Sequence, residues 1–171
     1  MKEILIIGAG DLGKEVVWLI EDINKCCPTY LILGFLDSDR EKIGKEFYGY
    51  KVLGSLELLD DKYNDSTVGA VIAILDSKAR ERIVRNHITF KNWETIIHPS
   101  AVIAPSTTVG EGSIVFPNVT VSVDTKIGRF DFIYIQSVIL NDCRIGDYVS
   151  IMANVTVQDH KNIPEKTVVK K

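Results

Sequence analysis

The sequence predicts two folds in series: a small Rossmann-like α/β domain, then an all-β parallel β-helix. Three observations carry that prediction. Apolar runs alternate with amphipathic helical patterns from Ile4 to about His87, and a glycine turn joins the first run to the first helix. After Trp93 a strict six-residue period replaces the alternation.

Ile4–Ile7 is a short strand of the buried type. It runs into Gly8-Ala9-Gly10-Asp11-Leu12-Gly13, a match to the glycine fingerprint in which backbone N–H groups at a helix N-terminus can meet a phosphate. From Gly13 to about Asn24, residues Val16, Val17, Leu19, Ile20 and Ile23 share one helical face, and Cys27-Pro28 closes the helix. Leu31–Leu36 reads as the second strand and ends in Asp37-Ser38-Asp39. Val68–Leu75 reads as the third, followed by a helix over Lys78–Asn86 with Ser77 as its N-cap and Arg80, Arg82 and Arg85 solvated. This wiring gives a small parallel sheet. The glycine turn alone leaves three readings open: a dinucleotide, another phosphate, or a turn that only packs strand against helix.

Every sixth residue from Ile97 is Ile or Val: Ile97, Ile103, Val109, Val115, Val121, Ile127, Ile133, Ile139, Ile145, Ile151, Val157, Ile163 and Val169. With these two types filling roughly a quarter of the chain, the run has a chance probability on the order of 10⁻⁸. It is an internal repeat. If each hexad is one face of a triangular coil, three hexads close a turn and the aliphatics stack inward as one ladder. About four coils follow, rising by roughly 4.8 Å each, for a prism about 19 Å tall. Glycines behind the aliphatic (Gly110, Gly128, Gly146) and small residues four places on (Ala101, Thr107, Ser113, Thr125, Ser137, Cys143) are expected at the sharp turns. So short a column exposes faces and ends, which predicts a homo-oligomer.

Composition narrows the function classes. The 171 residues are 46% hydrophobic and 25% charged, ordinary for a globular protein. A net charge of −3 gives no basic stripe for nucleic acid. The apolar run before Gly8 is too short for a signal peptide or a membrane span, which points to the cytoplasm and away from a membrane. Cys26, Cys27 and Cys143 form no zinc-like spacing with His87, His98 or His160, so no metal is expected and the cysteines read as reduced. Asn118-Val119-Thr120 matches the glycosylation acceptor pattern by chance.

Four stretches together carry a family resemblance: Ile7 to Val16, Gly34-Phe35-Leu36-Asp37, Ile97-His98-Pro99-Ser100-Ala101-Val102-Ile103-Ala104-Pro105, and Asp142-Cys143-Arg144-Ile145-Gly146-Asp147-Tyr148. The chain resembles the bacterial sugar O-/N-acyltransferases of the sialic-acid acetyltransferase type and the related nucleotide-amino-sugar N-acetyltransferases, over nearly its whole length. The resemblance implies a Rossmann-like domain over residues 1–95 and a left-handed β-helix over 96–171, assembled as a homotrimer. It implies acetyl-CoA as co-substrate, a UDP- or GDP-linked amino sugar or a sialic-acid-type sugar as acceptor, and a place in surface-polysaccharide biosynthesis. The nucleotide would be held by Gly8, Gly10, Asp11, Leu12, Gly13, Asp37 and Ser38.

The chain departs from the family at four points. Where the family has a small residue and a histidine, it has Asp11 and Leu12, and an aspartate beside a phosphate repels it unless it points away. Where the family has its general-base histidine, next to an acidic residue, it has Asn141 next to Asp142; an amide cannot take up a proton, and loss of a base costs on the order of 10²- to 10⁴-fold in rate. Ser150 replaces a second histidine that lies near acetyl-CoA in the family. The column is also about two coils shorter than the family's, which leaves the donor wall shortened. The resemblance therefore implies impaired catalysis, or a non-catalytic sugar-nucleotide-binding or assembly protein on the same scaffold. A nicotinamide-dependent dehydrogenase lacks a second catalytic domain.

The remaining candidates have plainer expectations. His98 caps the first coil, and His160 is exposed on the shortened end, with a replacement base reaching a neighbouring subunit as the alternative. Asp142 is a turn residue or a functional one. Phe116, Phe130, Phe132, Tyr134 and Tyr148 pack between subunits, and Phe90 and Trp93 pack the hinge between domains.

Overall fold

The apolar run that opens the chain becomes the middle of a mixed sheet. The computed structural model describes residues 1–64 and 67–171. In it β1 (Lys2–Ile7) lies between β2 (Tyr30–Leu36) and β5 (Val68–Ile72), parallel to both. β4 (Tyr50–Gly54) extends the sheet beside β2, and β3 (Glu46–Phe47) closes it antiparallel to β4. A two-residue hairpin at Tyr48-Gly49, both with positive φ, joins β3 to β4 and was not anticipated from sequence. Ile4 to Ile7 are buried, as parallel strands covered on both faces should be.

α1 (Asp11–Cys26) buries the face read from the sequence, Val16, Val17, Leu19, Ile20 and Ile23, and Cys27 caps its end. β5 stops three residues earlier than expected. Its partner β1 runs out at Ile7, whose carbonyl accepts the Ala73 N–H at 2.8 Å, and nothing remains to pair Leu75. α3 (Ser77–Asn86) is capped by Asp76 instead of Ser77: the Asp76 carboxylate accepts the Lys78 N–H at 3.1 Å. Near the end of α3, His87 Nδ1 meets Asp60 Oδ2 at 2.6 Å, in the short helix α2 (Leu58–Asp61).

By internal contacts the chain forms two units, Met1–Ile74 with Arg82–Glu94 and Leu75–Glu81 with Thr95–Lys171. The second is a β-helix of thirteen two-residue strands among the described residues, from β6 (Ile96–Ile97) to β18 (Val168–Val169). Each of the thirteen sixth-residue aliphatics is the second residue of one strand. They form three ladders instead of one, one per face: Ile97-Val115-Ile133-Ile151-Val169, Ile103-Val121-Ile139-Val157 and Val109-Ile127-Ile145-Ile163. The inner members are buried, while Ile163 and Val169 are only half-buried.

The sharp turns fall elsewhere than expected. Asn118, Asp124, Phe130, Gln136, Asp142, Tyr148, Asn154, His160 and Lys166 all have left-handed backbone, one per corner. Gly110, Gly128 and Gly146 do not. They form a column in which a Cβ would lie 2.4 to 2.6 Å from the backbone of the next coil, so close approach, and not φ, requires glycine there. Four of the small residues hydrogen-bond between coils, while the Ser137 hydroxyl donates to the Tyr134 carbonyl of its own coil. The hydroxyls of Thr107, Ser113 and Thr125 and the thiol of Cys143 donate to the carbonyls of Ser122, Gly128, Leu140 and Gln158.

The aromatic residues expected between subunits are packed within the chain. Phe116 stacks on Tyr134 at 4.7 Å and Phe130 on Tyr148 at 5.4 Å between ring centroids, and Phe116, Phe130 and Phe132 are essentially fully buried. Phe90 and Trp93 meet edge to face at 5.0 Å within the first unit. No helix among the described residues is long and apolar enough to cross a membrane, and no group of three or more His, Cys, Asp or Glu among them could hold a metal ion.

Candidate functional site

The glycine turn is built by packing at two of its three glycines. At Gly8, with φ +104, a Cβ would meet the Ala73 carbonyl oxygen and the Ile74 side chain, each at 2.9 Å. At Gly13 it would lie 2.3 Å from the Gly8 carbonyl oxygen and 3.1 Å from the Phe35 ring. Those two glycines let strand and helix touch. Gly10, at the N-cap of α1, has ordinary extended backbone and nothing within 4 Å of a would-be Cβ. Packing does not require glycine there; close approach from outside would.

Asp37 is fixed against this turn. Its Oδ2 accepts the Ala9 N–H at 2.8 Å and faces Lys42 Nζ at 3.1 Å, and its Oδ1 accepts the Asp39 N–H at 2.9 Å. Burial works against its charge. The two backbone donors and the Lys42 ammonium outweigh that and hold the carboxyl below the usual carboxylate range. Asp37 therefore stays ionised and commits the Ala9 N–H to the protein. Lys42 Nζ also reaches the Ala9 carbonyl at 3.3 Å, and Lys14 Nζ lies 5.4 Å from the Tyr48 ring centroid. Asp11 and Ser38 are exposed and Leu12 is half-buried.

In the β-helix, Asn141 and Asp142 stand together at one corner. Asn141 Nδ2 donates to Asp142 Oδ2 at 3.2 Å, and Asp142 takes the left-handed turn with φ +57. The residue one coil on is His160. Its N–H donates to the Asn141 carbonyl at 3.0 Å, and its Nδ1 lies 3.6 Å from Asp142 Oδ2. Ser150 is elsewhere: it is fully buried, and its hydroxyl accepts from Arg80 Nη2 at 3.1 Å.

Arg80, expected on the solvated face of its helix, is 1% exposed. Its Nη1 donates to the Leu75 carbonyl at 2.6 Å, its Nη2 to the Tyr148 carbonyl at 2.7 Å, and its guanidinium lies over the Phe132 ring at 4.5 Å. Burial lowers its pKa to about 10, which still leaves it charged at neutral pH. Nearby Asp131 is also fully buried; its Oδ1 accepts the Val149 N–H at 2.7 Å. Burial pushes its carboxyl up to about 8, against the pull of the Arg80 charge.

Residues 3–87 match the family described as the PglD N-terminal domain. The match spans just under half of the chain. The glycine turn, Asp37 and Lys42 all lie inside it. No curated protein matches the chain by sequence.

Three solved structures are similar to the chain over both the α/β domain and the β-helix. WeeI from Acinetobacter baumannii is 29% identical with a TM-score of 0.74, over 100% of this chain and 82% of that one. A histidine-to-asparagine variant of perosamine N-acetyltransferase from Caulobacter crescentus, in complex with CoA and GDP-perosamine, is 23% identical with a TM-score of 0.76, over 98% and 85%. The acetyltransferase domain of PglB from Neisseria gonorrhoeae, in complex with acetyl coenzyme A, is 18% identical with a TM-score of 0.78, over 98% and 87%. The shared fold is an α/β domain followed by a left-handed hexapeptide β-helix.

The structure thus brings Gly8, Gly10, Gly13 and Asp37 to one turn of the α/β domain, and Asn141 and Asp142 to one corner of the β-helix. Lys42 was missed, because five residues past Asp37 nothing local marks it as facing the turn. Asp131 was missed although it left a signal. It fills the slot four places after Ile127, where Ala, Thr, Ser and Cys recur along the column.

Proposed function

We propose that the chain transfers an acetyl group from acetyl-CoA to a UDP- or GDP-linked amino sugar or a sialic-acid-type sugar, as a cytoplasmic homotrimer serving surface-polysaccharide synthesis. The observation that carries this reading is the union, in one chain, of a PglD N-terminal domain with a hexapeptide β-helix. The Caulobacter and Neisseria structures with that fold hold CoA with GDP-perosamine and acetyl-CoA, respectively. Open space over Gly10, at the positive end of α1, suits the diphosphate of a nucleotide sugar, with Lys42 and Lys14 supplying positive charge. Asp37 positions the turn through Ala9, and its free lone pairs can accept from the nucleoside.

In the transfer, the sugar nitrogen attacks the thioester carbonyl, the C–N bond forms and the C–S bond breaks. The nitrogen then loses a proton and the sulfur leaves as the thiol of CoA. Asn141 cannot accept that proton. This favours a second reading, a protein that binds the sugar nucleotide on the same scaffold without turnover. The two separate in one experiment. Thermal shifts with nucleotide sugars and acetyl-CoA measure binding, since a ligand stabilises the fold by an amount set by its concentration over Kd. Thiol release with both substrates present measures transfer. Binding with transfer supports the enzyme; nucleotide-sugar binding without transfer supports the second reading; no binding of either rejects both.

A further inference from the structure

We infer that His160 is the proton acceptor of this transfer, oriented by Asp142 from the neighbouring coil; the inference rests on the acetyltransferase reading. The helix geometry places the pair. Asp142 and His160 occupy equivalent corners of successive coils, both in the left-handed turn conformation, with φ +57 and +58. The His160 backbone is tied to the Asp142 corner by its hydrogen bond to the Asn141 carbonyl at 3.0 Å. The imidazole therefore stands over the carboxylate, with Nδ1 3.6 Å from Oδ2.

That arrangement assigns the ring atoms. Nδ1 faces an anion, so it carries the hydrogen, and Nε2 keeps its lone pair for a proton from elsewhere. The Asn141 amide donates to the same Oδ2 at 3.2 Å, so it holds the carboxylate toward the ring without competing for a proton. At 3.6 Å the contact is an electrostatic pairing longer than a hydrogen bond, as acid–base pairs often are before substrate binds. The His160 side chain is 71% exposed, which leaves Nε2 open to an incoming substrate. By contrast, His98 is buried, and its Nδ1 already accepts the Ser100 N–H at 3.1 Å. His87 pairs with Asp60 in the first unit.

The balance is complete with the two substrates alone. The sugar nitrogen bonds to the acetyl carbon and its proton passes to His160 Nε2. The C–S bond breaks, and the proton returns from His160 to the departing sulfur. Asn141 takes the part of a positioning residue, and so does Asp142.

The test is a double-mutant cycle on the full chain, read by thiol release from acetyl-CoA with a nucleotide-linked amino sugar. His160→Gln should lower kcat by about 10²- to 10⁴-fold while KM for both substrates and the melting temperature stay within error. Asp142→Asn suits the left-handed corner and should lower kcat by about tenfold or more. In the His160→Gln background it should do nothing, because it acts through the imidazole. An active parent whose His160→Gln variant keeps its rate within twofold overturns the role of His160 and leaves the acetyltransferase reading standing. An Asp142→Asn effect that persists without His160 overturns the pairing. A parent that binds nucleotide sugar yet releases no thiol overturns both the reading and the base.

Discussion

Arg80 Nη2 donates to Ser150 Oγ at 3.1 Å, so a cation from the first turns of α3 is buried on the hydroxyl of a residue in the β-helix. The same nitrogen reaches the Tyr148 carbonyl, and the planar group covers Phe132. These contacts satisfy a charge that would otherwise be costly to bury.

Arg80→Leu should destabilise the protein by about 3 to 5 kcal/mol, because it strips the hydrogen bonds to the Leu75 and Tyr148 carbonyls and the Ser150 hydroxyl and takes this donor from buried acceptors. Arg80→Lys should recover only part of that, since an ammonium lacks the planar fork. Urea denaturation of the three proteins checks the order.

The buried carboxyl of Asp131 sets a pH dependence. Its folded pKa, about 8, is raised above the unfolded value of roughly 3.9. Its contribution is therefore fully present below about pH 4 and is lost as pH rises through about 8. Asp131→Asn imitates the neutral acid while keeping an acceptor for the Val149 N–H. The variant should gain stability relative to the parent progressively from about pH 4 to about pH 8 and keep that gain above it, as seen in denaturation midpoints across that range.

Asp37 has the opposite sign. Its folded pKa is lowered, so its contribution is present above the unfolded carboxylate value and is lost as pH falls through the folded one. Asp37→Asn should flatten the acid limb of the stability profile and lower nucleotide-sugar affinity together, because the Ala9 N–H and Lys42 lose a charged partner. Unchanged affinity would separate the turn from nucleotide binding.

Gly10 and Gly13 should behave differently although one motif contains both. Gly13→Ala forces a Cβ onto the Gly8 carbonyl oxygen and should cost about 1 to 3 kcal/mol. Gly10→Val has room and extended backbone, so the fold should hold within about 1 kcal/mol. It should nevertheless abolish binding of UDP- and GDP-sugars by filling the space a diphosphate needs. Calorimetry that gives the parent Kd for the variant would make the turn purely structural.

Legibility in the sequence followed how local the cause was. The strand pairs from Ile97 to Val169 could be read because the six-residue period is the geometry of the coil itself. The apolar face of α1 could be read for a similar reason. Arg80 could not: an arginine on a short polar helix looks solvated until Tyr148, Phe132 and Ser150, far along the chain, enclose it. The Tyr48-Gly49 hairpin left only a glycine as a sign. At the candidate sites, Gly10 stood out by motif and Asn141 through the family resemblance. Lys42 and the pairing of His160 with Asp142 depend on how coils and strands stack, which a linear pattern encodes only through the period.

Every ladder of the β-helix joins a coil to the one before and the one after, with parallel partners such as Lys126 and Arg144. Its cohesion is thus a sum of nearest-neighbour couplings, closer to a stack of coins than to a globular core. Such a stack frays from its ends. Amide exchange should be slowest around Ile133 and Ile139 and quicken toward Ile163 and Val169, whose side chains are half-exposed. His160 lies toward those half-exposed residues, so how firmly its own coil is held governs how often its ring is aligned.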